Sequence, residues 1–165
     1  MPVVDPLALP AARSAGQRLM GLDVGEKTIG LAISDPTLTV ATPLDTIRRG
    51  KFTADAERLK TLAAERNVGG LVVGLPIDMQ GGEGRRCQSV RQFAANLLAR
   101  LDLPLAFWDE RLSTVAVTRA MLDADLSRAR RAEVVDKAAA AYILQGLLDR
   151  LAAVRAAANQ ADTRA

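Results

Sequence analysis

The stretch Gly21–Asp35, GLDVGEKTIGLAISD, decides how this chain folds. Two short apolar runs flank a turn led by Gly25, and the pair reads as a β-hairpin with strands Arg18–Val24 and Thr28–Ser34. One residue does not fit an apolar strand. Asp23 interrupts the first run, where Leu22 and Val24 alternate with it. A buried carboxylate is costly unless a cation, hydrogen-bond donors or a proton accompanies it. An acidic strand followed by a glycine-punctuated turn suits the phosphates of a nucleotide, or a divalent metal set against a phosphodiester. It also suits a plain turn, with Asp-Val-Gly as its cap. The rest of the chain has to choose.

Downstream, Val40–Ile47 (VATPLDTI) reads as a third strand, with Pro43 placing it at an edge or on a bulge. Thr53–Arg66 carries Ala56, Leu59, Leu62 and Ala63 at helical spacing. Val68–Leu75 (VGGLVVGL) is a continuous apolar run, as expected of a strand covered on both faces. A glycine-rich loop, PIDMQGGEG, leads into a helix from Arg86 to Leu101, and Pro104–Asp109 is a further strand. Ser113–Leu122 opens on Ser-Thr, a good N-cap, and reads as a helix. Asp123–Arg131 reads as a basic loop and Glu133–Val154 as a long last helix. Three meandering strands followed by alternating helices and strands imply right-handed crossovers and parallel pairing. The expected fold class is α/β, a mixed five-stranded sheet with helices on both faces. Residues 1–17 read as a flexible extension, 18–154 as the single domain and 155–165 as a tail.

The 165 residues and 49% apolar content fit one globular domain. No run approaches the length of a membrane span, and the N-terminus lacks the pattern of a secretory signal, so the cytoplasm is the expected location. There is no histidine and a single cysteine, Cys87. Histidine general bases, Ser-His and Cys-His pairs and zinc cages are therefore excluded. Strong chemistry here has to use carboxylates with lysine, arginine or a hard cation such as Mg²⁺ or Mn²⁺. A net charge of +3 leans towards a polyanionic partner. The basic residues gather as Arg48, Arg49 and Lys51, as Arg85, Arg86 and Arg91, and as Arg128, Arg130 and Arg131.

Two further acids stand in unusual places. The run FWDERLST ends a strand on Asp109 and Glu110, at the carboxyl edge where ligands of such sheets bind. Glu110 shares side-chain parity with Ala106 and Trp108, and Asp109 with Leu105 and Phe107; parity alone does not choose between them. Asp136 opens the last helix on the same stripe as Ala140, Ile143 and Leu147, so it continues the face that packs on the sheet. Each acid has an ordinary explanation: a turn cap, a solvated strand end paired with Arg111, a charge matched to the helix dipole. Clustered, they would repel unless a divalent cation sat among them, an arrangement suited to phosphodiester hydrolysis.

The motifs GLDVGEKTIGLAISD, VVGLPIDMQGGEG, DERLST and VDKAAAAYIL, in this order, resemble the YqgF/RuvX family from about Arg18 to Leu151. The resemblance implies a ribonuclease H-like fold and a nuclease, one that matures the 5′ end of pre-16S ribosomal RNA or resolves Holliday junctions. It implies Asp23, Glu110 and Asp136 as catalytic ligands of Mg²⁺ or Mn²⁺. It further implies nucleic-acid contacts from Lys27, from Gly81 and Gly82 in the glycine loop, from Arg85 and Arg86, and from Arg111, Arg128 and Arg131. The loop from Pro76 is richer in glycine than the family pattern, which bears on substrate and not on fold. Structured RNA is the favoured partner, branched DNA the alternative, with ribosomal precursor particles as a possible context and a monomer or homodimer as the working form. Two rivals remain: a nucleotide-binding domain of the actin, Hsp70 and sugar-kinase type, of which 165 residues supply only one of two halves, and a non-catalytic RNA-binding assembly factor.

Overall fold

The computed structural model describes residues 3–112 and 128–164, the latter with side chains from 136 onward. Strands β1 (Arg18–Val24), β2 (Thr28–Ser34) and β3 (Ala41–Arg48) form an antiparallel meander. Helix α2 (Phe52–Glu65) crosses to β4 (Val68–Leu75), and α3 (Arg85–Leu98) crosses to β5 (Leu105–Asp109). Both later strands pair in parallel, giving the order β3-β2-β1-β4-β5. A 3-10 turn at Glu110–Leu112 follows β5, and a long helix, α4, runs from Arg128 to Arg164. At the start of the chain lie a 3-10 turn at Pro6–Ala8 and a short helix, α1 (Leu9–Ala12).

Alternation along the strands divides the core into two layers. Met20, Leu22, Val24, Ile29, Leu31, Leu71 and Val73 face α2 and α3, meeting Leu59, Val90, Phe93 and Leu97. On the opposite face, Leu19, Ala32, Val72, Ala106 and Trp108 meet Ala140, Ile143, Leu144 and Leu147 of α4. Asp23 belongs by parity to this second face. The helices therefore cover both sides of a mixed sheet, as the sequence pattern requires.

Pro43 sits on the edge strand and opposite a register shift: Leu31 pairs with Asp45 and Ala32 with Pro43, so Leu44 is the extra residue of a bulge. The sheet edge thus absorbs a residue that cannot donate to a ladder.

Three expectations change. Residues 3–17 are anchored to the domain: Val4 donates its N–H to Leu105 O at 2.8 Å, and Leu9 is fully buried against the α4 layer. Residues 128–131, read as loop, are helical, and α4 continues to Arg164 beyond the expected end at Val154. Alanine and arginine dominate both additions, and both are strong helix formers with no proline after Pro104 to stop them. The expected helix at Ser113–Leu122 lies outside the described residues. No helix among the described residues is long and apolar enough to cross a membrane.

Candidate active site

The site is built from how closely α4 approaches the sheet. A Cβ on Gly30 would lie 2.0 Å from the carbonyl oxygen of Asp136, and one on Gly21 would lie 2.9 Å from both Ala140 O and Leu144 Cβ. Glycine at these two positions, one under Asp136 and the other under Ala140 and Leu144, lets the helix backbone rest on the strands. Gly30 is the direct cross-strand partner of Asp23, so both belong to one face. The first turns of α4 therefore bring Asp136 beside the strand position that carries Asp23. The small residues of Ala138–Ala141 serve the close approach expected of them.

Asp23 itself is 3% exposed. Thr28, at the start of β2, donates its hydroxyl to Oδ2 of Asp136 across 108 residues of sequence. The same residue's carbonyl accepts the N–H of Gly25 at 2.9 Å, closing the hairpin turn behind Asp23. Arg49 braces that turn from outside: its guanidinium donates to Gly25 O at 2.6 Å and its N–H to Lys27 O at 2.8 Å.

Asp109 and Glu110 differ in their surroundings. A Cβ on Gly74, near the carboxyl end of β4, would lie 2.9 Å from Glu110 Oε1 and 2.5 Å from Ile143 Cδ1 of α4. Glu110 therefore reaches over β4 on the α4 face. Asp109 is engaged elsewhere, gripped by Arg111 through Nε at 3.0 Å to each carboxylate oxygen and through Nη2 at 2.6 Å. The Arg111 hydrogen bonds hold the Asp109 carboxyl below its ordinary pKa and raise that of the guanidinium. Arg111 thus braces Asp109, not Glu110, and its other nitrogen, Nη1, points towards Gly81, 3.7 Å from where a Cβ would stand there.

The glycine loop departs from its expected role. Asp78 Oδ1 accepts the N–H groups of Gln80 at 2.9 Å and Gly82 at 2.8 Å, while Asp78 O accepts that of Gly81 at 3.0 Å. The main-chain donors of Gly81 and Gly82, expected to face phosphate, are turned inward onto Asp78. The signal for this was present: Asp followed within a few residues by glycine favours a side-chain-closed turn, and Gly81 takes a φ of 89° that suits only glycine. Beyond the loop, Arg85 and Arg86 are exposed in the first turn of α3. With Ser89 and Val90 they line a cleft of about 170 Å³ whose opposite wall is Val24, Gly25 and Glu26 of the hairpin. Lys27 is exposed at the tip of the same turn. Arg128 and Arg131 fall in the first turns of α4, and their side chains lie outside the described residues.

The donor set consists of carboxylate oxygens alone, which suits a hard divalent ion and no soft one. Glu110 and Asp136 reach the α4 face near the carboxyl ends of the parallel strands, the face to which Asp23 belongs. Among the described residues, no group of three acidic, histidine or cysteine side chains is drawn into a ready-made metal cluster. Asp136 is instead turned to Thr28. Donor chemistry fits a hard divalent ion, and the described carboxylates share a face without standing as a preformed cage for it.

Sequence reasoning did not single out Thr28, Gly30 or Asp78. Comparison with known proteins then places the chain. A protein from Paramagnetospirillum magneticum named "Putative pre-16S rRNA nuclease" is 66% identical over 149 residues, covering 90% of this chain and 96% of that protein. A relative of the same name from Roseobacter denitrificans is 61% identical, covering 93% of each. Among solved structures, Thermus thermophilus RuvC in complex with a Holliday junction superposes with a TM-score of 0.52 at 12% identity, covering 82% of this chain and 96% of that one. At that identity the likeness is one of fold, and RuvC has the ribonuclease H-like architecture seen here. The model of the RuvX family, described as Holliday junction resolvase, matches residues 17–150, and the chain belongs to that family.

Proposed function

We propose that this protein is a nuclease that hydrolyses phosphodiester bonds with the help of Mg²⁺ or Mn²⁺, and that its substrate is the 5′ region of pre-16S ribosomal RNA in the cytoplasm. One observation carries the reading: Asp136, from the last helix, is brought by Gly30 beside the strand position of Asp23, while Glu110 reaches the same face over Gly74. Family membership and the names of relatives at 66% and 61% identity support a nuclease acting on RNA. Asp23, Glu110 and Asp136 are the residues that would hold the ion. When bound, such an ion readies a water for attack and steadies the charge on the leaving oxygen.

The protein's own groups do the rest. Burial of Asp23 under α4 excludes water from its side chain and strengthens its interaction with any cation it meets. Arg85 and Arg86 stand across a cleft from the turn that follows Asp23, so a phosphate backbone entering there meets positive charge next to the acidic site. Their position is informative. Basic residues in a first helical turn oppose the helix dipole, and α3 has no acid there to match it. A role in binding an anion explains arginines that the helix itself does not favour. Lys27, at the hairpin tip, and Arg111, beside the loop, extend the basic rim, and Arg128 and Arg131 stand ahead of Asp136 in α4. The loop at Gly81 and Gly82 contributes shape, its amides being held by Asp78.

The test is one assay with two substrates and two metals. Pre-16S RNA with its 5′ extension and a four-way DNA junction are each incubated with Mg²⁺ or Mn²⁺, beside the Asp23→Asn and Asp136→Asn variants. The expected result is metal-dependent cleavage of the RNA that both variants lose. Cleavage of the junction alone, by a stable dimer with two active sites, would transfer the reading to a resolvase. Activity on neither substrate, or activity that survives Asp136→Asn, would overturn it.

A further inference from the structure

We infer that Thr28 is a positioning residue, holding the Asp136 carboxylate in the orientation that its role in the acidic site needs; this rests on the metal-dependent reading of that site. The Thr28 hydroxyl donates to Oδ2 of Asp136, which engages one carboxylate oxygen and leaves Oδ1 for another partner. Three features make this more than a tie between strand and helix.

First, the donor is rigid. Thr28 is fixed at one end by the β2 ladder, where it pairs with Arg48, and at the other by the turn bond from Gly25 N to its own carbonyl. A β-branched side chain on such a backbone has few rotamers available. Second, the acceptor's backbone is fixed too, because the Asp136 carbonyl rests over Gly30, two residues along the same strand face. With both main chains set, the only freedom left to Asp136 is rotation of its side chain, and that is what the hydroxyl arrests. Third, the turn that Thr28 closes is the one directly after Asp23 and Val24. One residue therefore couples the acidic strand to the acid on the helix. Hydrogen bonds to an ionised acceptor are the strong ones, and partners that orient metal-binding side chains typically matter roughly ten- to a hundredfold in affinity or turnover.

The experiment uses the full chain as wild type and as Thr28→Val, Thr28→Ala, Thr28→Ser and Asp136→Asn. Mn²⁺ binding is followed by the loss of the free-ion paramagnetic resonance signal, with no nucleic acid present, and metal-free thermal melting is recorded in parallel. Thr28→Val keeps the shape and the strand preference, so its metal-free melting should stay within a few degrees of wild type. Its dissociation constant for Mn²⁺ should rise about tenfold, as should that of Thr28→Ala, while Thr28→Ser, which keeps the hydroxyl, stays within about twofold. Wild-type Mn²⁺ binding by both hydroxyl-free variants, or equal weakening in Thr28→Ser, would overturn the inference. Absence of Mn²⁺ binding by the wild-type chain would remove the metal reading itself, and Thr28's role with it. A defect seen only in the hydroxyl-free variants leaves that reading intact and establishes Thr28.

Discussion

The carbonyl oxygen of Asp136 occupies the space in which a side chain on Gly30 would begin, 2.0 Å from the position of a Cβ. The contact is backbone against backbone, so no rotamer change relieves it. It joins the second strand of the hairpin to the first described turns of α4, and through Gly30 it sets the distance between that helix and the strand of Asp23.

Gly30→Ala should therefore be severely destabilising. Overpacking in a core ordinarily costs about 1–3 kcal/mol, and an immovable carbonyl places this variant at or above the upper end. Gly21→Ala, whose obstacles stand at 2.9 Å, should cost less. Urea denaturation of the two variants checks the order, and a Gly30→Ala protein as stable as wild type would show that α4 can lift away freely.

Much of this was legible in the sequence, and the reason differs by element. The strands at Arg18–Val24, Thr28–Ser34 and Val68–Leu75 have the expected bounds because Gly25, Asp35 and Pro76 end their apolar runs. The start of α4 was hidden by its arginines, since a basic run resembles a loop unless intrinsic helix preference is weighed against charge. Glu110 could not be separated from Asp109 until Gly74 and Ile143 showed which face α4 covers. The Thr28–Asp136 bond joins residues 108 apart and has no local signature. Asp78 shows a different limit: the same glycines that would cradle a phosphate also let a neighbouring carboxylate take its place.

The turn from β2 to β3 predicts a dependence of stability on pH. Asp35 accepts from the hydroxyl of Thr37 and from the N–H groups of Val40 at 2.8 Å and Thr39 at 2.7 Å, which together hold its carboxyl well below the usual carboxylate range. A depressed folded-state value means that the contribution is present above the ordinary pKa of about 3.9 and is lost as pH falls below it. Asp35→Ala should cost about 1 kcal/mol at neutral pH, the turn being partly solvated. Urea midpoints at pH 7 and pH 3 should show the gap to wild type narrowing in acid. A gap that is constant across that range would mean the carboxylate is not ionised preferentially in the fold.

Arg85 and Arg86 predict a separation of binding from stability. The double variant Arg85→Gln, Arg86→Gln removes two cations from a helix start that gains nothing from them. Its melting temperature should equal or exceed wild type. RNA affinity measured by anisotropy across a salt series should weaken, with the log–log salt slope shallower by about 1.4 for single strands. An unchanged slope would place the phosphate path elsewhere on the surface.

Adjacent acids with opposite duties give the sharpest contrast. Asp109 and Glu110 are chain neighbours, yet one is gripped by Arg111 and the other lies over Gly74 on the α4 face. Glu110→Gln keeps the size of the side chain and removes its charge, so turnover should fall by about a hundredfold or more while the fold persists. Asp109→Asn breaks a partly exposed ion pair, worth about 1 kcal/mol or less. Turnover in that variant should stay within about tenfold, because the freed Arg111 stands beside the loop at Gly81 and not on Glu110. Because the pair holds Asp109 below its ordinary pKa, the stability it contributes is present above about pH 4 and declines in acid, so the Asp109→Asn deficit should shrink at pH 3. Gly74→Ala supplies a third arm: its obstacles are the movable end of Ile143 and the Glu110 carboxylate, so the fold should yield little while turnover drops with the displaced carboxylate. Equal losses in Asp109→Asn and Glu110→Gln would show that the two acids act as one group, and would remove the basis for assigning the chemistry to the α4 face alone.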